Sequence, residues 1–122
     1  MEEQLVDFDF LEELSGGDSK YKFELLTIFL DTVGEGLANL EKLIKETGDM
    51  DAIYKQAHAL KSSAGIVKVR DMHGQLARIE ELGRANTGES EINSLFDDLM
   101  STYRQAHPLL VGVRDKNKPA DA

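Results

Sequence analysis

From Ala57 the chain reads Ala57-His-Ala-Leu-Lys-Ser-Ser-Ala-Gly-Ile-Val-Lys-Val69, which sets His58 three residues before Lys61 and close to two small residues, Ser62 and Gly65. An exposed neutral imidazole is a nucleophile that can take a phosphoryl group on nitrogen. A lysine one helical turn away can hold the phosphoryl oxygens as a point charge. Small residues beyond it leave room for another protein to come close. The surroundings favour an anion too. No Asp or Glu occurs from Ala52 to Arg70, a stretch that carries Lys55, Lys61, Lys68 and Arg70 instead. The local field is therefore cationic in a chain whose net charge is -9,. No Walker-type glycine loop accompanies the histidine, so an activated phosphate would have to come from a partner.

These residues need a helix to hold them. On a wheel at about 100° per residue, Ile53, Ala57, Leu60, Ala64 and Val67 form one apolar stripe, and His58 stands roughly 140° from its centre, facing solvent. Tyr54, Lys61, Ser62 and Gly65 share the side of His58. The pattern predicts this helix from Met50 to about Val67. Before it, Phe8, Phe10, Leu11 and Leu14 predict a short helix stopped by Ser15-Gly-Gly-Asp18, with Asp18 as the next N-cap. Phe23, Leu26, Ile28, Leu30, Val33, Leu37, Leu40 and Ile44 then recur at helical spacing from Ser19 to about Glu46, with Gly34 and Gly36 marking a bend or a close approach. Thr47-Gly48-Asp49 is a stop followed by a new cap. Met72, Leu76, Ile79 and Leu82 predict a helix from about Arg70 to Arg84, with His73, Ala77, Glu80 and Arg84 on another side. A last helix carries Ile92, Leu95, Phe96, Leu99, Met100 and Tyr103, and Pro108 should kink or stop it. No period-2 strand pattern is present. The expectation is an all-α protein: an antiparallel four-helix bundle with a short additional N-terminal helix over residues 1–113, then a polar tail over 114–122.

Bulk properties exclude several functions. A chain of 122 residues suits one core,. Net negative charge argues against general nucleic-acid binding. Without cysteine there are no disulfides, thiolate chemistry or zinc–cysteine sites,. The acidic start, Met1-Glu-Glu-Gln-Leu-Val-Asp7, has neither a basic n-region nor a long apolar run. It reads as neither a signal peptide nor a membrane span, and cytoplasm is the expectation.

His-Ala-Leu-Lys-Ser-Ser, preceded by Ala57, resembles the signature of histidine-containing phosphotransfer (HPt) domains, commonly His-x-Leu-Lys-Gly-Ser. Leu14-Ser-Gly-Gly-Asp18 ahead of a long helix with Phe29-Leu-Asp31, and Arg78-Ile-Glu-Glu-Leu-Gly-Arg84 downstream, resemble the family's neighbouring helices. The resemblance spans about residues 5–110. It implies a helical bundle that shuttles phosphate in two-component phosphorelays. Under it His58 is the phosphoacceptor and Lys61 the phosphate-stabilising lysine. Glu80 falls where a polar residue often orients the histidine ring, and Ser62, Gly65 and Arg84 fall on the docking surface. The implied partners are receiver domains of response regulators or hybrid histidine kinases. The chain itself would need no cofactor or metal, magnesium being expected on the receiver, and a monomer is expected. Three departures stand out. Ser62 replaces the usual Gly, Ile66 and Lys68 replace a frequent Asn and Gly, and Glu80 is charged where an amide is common.

Other roles compete. An adaptor could dock receivers without accepting phosphate, and Ser62 keeps that open. Glu80 and Arg84 could be no more than an exposed i,i+4 pair worth about 0.3–0.5 kcal/mol. A metal–carboxylate bundle enzyme needs Glu-x-x-His pairs. The residues three before His58, His73 and His107 are Lys55, Arg70 and Arg104, so that motif is absent.

Overall fold

The structure, a computed structural model, describes residues 4–120; the first residues of the acidic start and the last two of the tail lie outside them. Five α-helices follow in order: α1 (Phe8–Ser15), α2 (Ser19–Lys42), α3 (Met50–Ser63), α4 (Met72–Arg84) and α5 (Glu89–Lys116). A π-helical turn, Leu43–Thr47, extends α2. Each early helix starts on an aspartate. Asp7, Asp18 and Asp49 accept from the amides of Phe10, Tyr21 and Ala52 at 3.0, 2.9 and 3.2 Å, caps worth about 1 kcal/mol each. Gly16 and Gly48 end the preceding helices in the left-handed region, with φ of 64° at both, where a glycine avoids the cost of a Cβ.

Helices α2 to α5 form the bundle around a core centred on Phe29 and Phe96, both fully buried. Lys45 reaches Asn93 and Asp97 while Gly34 lies beside the Tyr103 hydroxyl, so α2 and α5 run antiparallel. Gly36 lets α2 come close to α3: a Cβ there would lie 2.5 Å from Leu60 Cδ2. Of the two possibilities at the glycines of α2, close approach is the one observed at Gly36. All five residues of the apolar stripe, Ile53, Ala57, Leu60, Ala64 and Val67, are buried, as are Met72, Leu76, Ile79 and Leu82 of α4. The all-α bundle with a short leading helix is the architecture found.

Four local expectations differ from the structure. Ile28 is 52% exposed, and its neighbour Phe29 takes the core position instead. The third helix ends at Ser63 rather than Val67. Ser62, Ser63 and Gly65 are weak helix formers, and the chain turns there through Gly65 N–H to Ser62 O and Ile66 N–H to Ser63 O bonds. Ala64 and Val67 stay buried through the turn. Two short strands, β1 (Val6–Asp7) and β2 (Lys68–Val69), then pair antiparallel with Val6 opposite Val69, a clasp too short to show a period. Finally, Pro108 lies within α5, which continues to Lys116 and so takes in three residues read as tail. Proline removes only the bond to the Arg104 carbonyl, which is on an exposed residue,. Buried Ala106 and Leu110 hold the helix to the core on both sides.

Candidate functional site

Helices α3 and α4 pack antiparallel, with Tyr54 level with Arg84 and His58 level with Glu80. Their closeness depends on Gly83. A Cβ at that position would meet Met50 O, Tyr54 N and Tyr54 Cβ, each at 3.1 Å. This glycine carried no signal in the sequence, because its role exists only when the helices are docked.

Across that contact Glu80 Oε1 lies 2.8 Å from His58 Nδ1. The His58 side chain is 60% exposed, and that of Glu80 only 5%. A buried carboxylate is costly without partners, and this one has three. Lys61 Nζ is 2.8 Å from Oε2, and Arg84 NH2 is 2.9 Å from Oε1. The guanidinium of Arg84 in turn lies 4.9 Å from the centre of the Tyr54 ring, within cation–π range. The i,i+4 pair of Glu80 with Arg84 is present, but on a buried acid rather than an exposed one.

The hydrogen bond from Lys61, followed by that from His58, holds the Glu80 carboxyl below its ordinary value of about 4.5. A carboxyl lowered in the fold contributes stability above its unfolded pKa and loses it as pH falls through the lower folded value. Glu80→Gln is therefore expected to flatten the acid limb of the stability curve below about pH 4.5. Urea titrations between about pH 3 and 7 check this; an acid limb as steep as that of wild type would refute it.

With Nδ1–H donating to Glu80, the neutral imidazole keeps its lone pair on Nε2, the ring nitrogen on the opposite edge. Ser62 and Gly65 are exposed further along. The sequence-predicted residues thus gather as one cluster of His58, Lys61, Glu80 and Arg84, with Ser62 and Gly65 beside it. Lys61 does not stand apart awaiting an anion; it shares the carboxylate that holds the histidine. Tyr54 joins the cluster through Arg84, a role its position beside His58 on the wheel did not disclose. His73 is exposed, and His107 sits edge-on to the Tyr103 ring with centroids 5.8 Å apart. Neither belongs to the cluster. No group of three or more His, Cys, Asp or Glu among the described residues could hold a metal. No helix among them is long and apolar enough to cross a membrane.

Fold and site together define an all-α bundle that presents one histidine, braced through Nδ1, on the side of a helix. The family model for the Hpt domain matches residues 24–107, and the chain belongs to that family. Membership carries a phosphotransfer role in two-component phosphorelays, as a carrier rather than a catalyst with its own ATP site. No curated protein and no solved structure gives a significant match to the chain.

Proposed function

We propose that the protein is a phosphorelay intermediate. It accepts a phosphoryl group on His58 from the aspartate of a receiver domain, or from a hybrid histidine kinase, and passes it to the receiver of a response regulator. The observation that carries this is the 2.8 Å contact between His58 Nδ1 and buried Glu80, which fixes the tautomer with a nucleophilic Nε2. In the transfer, Nε2 forms a bond to phosphorus as the bond to the aspartyl oxygen breaks, and the aspartate leaves as a carboxylate. The proton on Nδ1 stays on its bond to Glu80, whose negative charge offsets the positive charge gained by the ring. The reverse sequence unloads the histidine onto the next receiver. Magnesium bound by the receiver supplies charge stabilisation for the moving group. The protein would act as a cytoplasmic monomer.

Lys61 meets the phosphoryl oxygens by dividing its three donors between them and Glu80. Lys61→Ala is expected to slow transfer about tenfold, the loss of one charge-assisted hydrogen bond, and to leave the domain folded. Rates equal to wild type at every salt concentration would remove Lys61 from the reaction.

The deciding experiment mixes the protein with phosphorylated receivers and looks for acid-labile phosphate on it. The competing adaptor role draws on Ser62 and on the engagement of Lys61 by Glu80. Binding to receivers with no transfer from any of them would establish the adaptor and reject the carrier.

A further inference from the structure

The charge on Glu80 has to stay partnered at every stage of a transfer, because its side chain is only 5% exposed and a carboxylate shut away from water is costly alone. Two of its three partners have other work under the proposed function. His58 takes the phosphoryl group, and Lys61 must turn donors toward the phosphoryl oxygens. Lys61 is also the largest single support of the ionised form of Glu80, ahead of His58. As Lys61 turns, Glu80 loses cover in a place where little water can replace it.

Arg84 is the partner that the transfer step does not draw on. Its guanidinium lies 2.9 Å from Glu80 Oε1, yet its side chain is 61% exposed. An ion pair that open contributes little and holds a long side chain poorly. Arg84 also lines a cavity of about 410 Å3 together with Tyr54, Asp49 and Asp51, so two further carboxylates compete for it. Asp49 caps α3 at the amide of Ala52 and Asp51 pairs with Lys55 at 2.9 Å, but both remain exposed. What favours the place on Glu80 is the Tyr54 ring, whose centre is 4.9 Å from the guanidinium carbon,. Tyr54 is half-buried and precedes His58 by about one turn of α3,. It lies beside Gly83, whose lack of a Cβ lets α4 approach this closely.

We infer that Tyr54 is a positioning residue for the transfer: its ring seats Arg84 as the standing counter-ion of Glu80, and this frees Lys61 to serve the phosphoryl group. The inference rests on the proposed function and adds to it a residue that acts only through Arg84. Without the ring, Arg84 spends less time on Glu80, and Lys61 is retained there in its place. The bonds made and broken stay the same. Nε2 still attacks phosphorus, but with fewer donors on the phosphoryl oxygens.

Transfer rates are read with a phosphorylated receiver and with phosphoramidate, a small donor that needs no docking and releases ammonia, each well below the Tm of the protein tested. Tyr54→Leu is expected to slow both reactions about threefold, the share that an exposed cation–π contact supplies. Tyr54→Phe, which keeps the ring face, should restore the rate. Arg84→Met should slow both about tenfold, the loss of one charge-assisted hydrogen bond, and keeps the test independent of any packing lost in Tyr54→Leu. In a Lys61→Ala background Tyr54→Leu should slow transfer no further, because the lysine that the ring sets free is gone. Slowing that adds in full to that of Lys61→Ala would overturn the inference, and so would a Tyr54→Phe variant as slow as Tyr54→Leu. Slowing with the receiver alone would overturn it too, by assigning both residues to docking. Wild-type rates in Tyr54→Leu and Arg84→Met would overturn it and leave the proposed function standing. Wild-type protein that takes label from phosphoramidate but from no receiver would reject the proposed function, and this role with it.

Discussion

His58→Gln is expected to take up no phosphate from any phosphorylated receiver, while its helicity and Tm remain those of wild type. The two halves of this result have separate causes. The side chain is 60% exposed, so the substitution falls among those that change stability by no more than about 0.5 kcal/mol. A glutamine amide can still donate to Glu80, which keeps the buried carboxylate partnered. It offers no nitrogen lone pair able to attack phosphorus, so the chemistry is lost outright. Incubation with radiolabelled receiver, followed by acid and base treatment of the separated protein, reads the result. Acid-labile label remaining on the variant would move the acceptor to His73 or His107, both exposed.

The second large effect is on the fold and reaches the site through it. Gly83→Val should cost about 3 kcal/mol, the upper end of the usual penalty for overpacking, and lower Tm by about 10 °C. The atoms that a branched side chain would meet are mostly backbone, Met50 O and Tyr54 N, and they cannot rotate away. The contrast is Gly36→Ala, where the obstacle is the flexible end of Leu60 and a rotamer change gives partial relief. Helix α4 carries both Gly83 and Glu80, so forcing it away from α3 lengthens the 2.8 Å contact to His58. The variant should therefore also lose phosphate acceptance at temperatures where it is still folded. Thermal melts paired with transfer assays check both parts. Unchanged Tm and unchanged transfer would mean that the two helices are not held at this spacing.

Periodicity made the bundle legible. The stripe from Ile53 to Val67 is buried in full, because five apolar residues at helical spacing leave one way to face a core. The same wheel set Glu80 and Arg84 on one side of α4, and antiparallel packing brings Glu80 to His58. Ile28 and Phe29 are both apolar, but only Phe29 keeps the helical spacing of buried Leu26, Val33, Leu37 and Leu40, so the period itself puts Ile28 on the exposed side,. Contacts that depend on a second element were less readable. Gly83 looks like any helix-interior glycine until α3 lies against it. The burial of Glu80 follows from the same close approach, so an acid that could have been a solvated surface charge becomes the shared centre of the cluster. Pro108 does not stop α5, because Ala106 and Leu110 anchor the helix in the core on both sides of it.

The clasp between β1 and β2 bears on how the molecule opens. It joins Val6 to Val69 across about sixty intervening residues, and closing so long a loop costs entropy that two residue pairs cannot repay alone. The clasp therefore forms after α2 and α3 have brought its ends together, and it is among the first contacts to release. Opening it frees the corner at Arg70, while α1 stays on α2 through buried Leu11 and the Glu12–Lys22 ion pair and the four long helices stay associated,. The chain thus has two layers of stability: a durable bundle that keeps His58 braced against Glu80, and a looser margin beside it that can rearrange without disturbing that bracing.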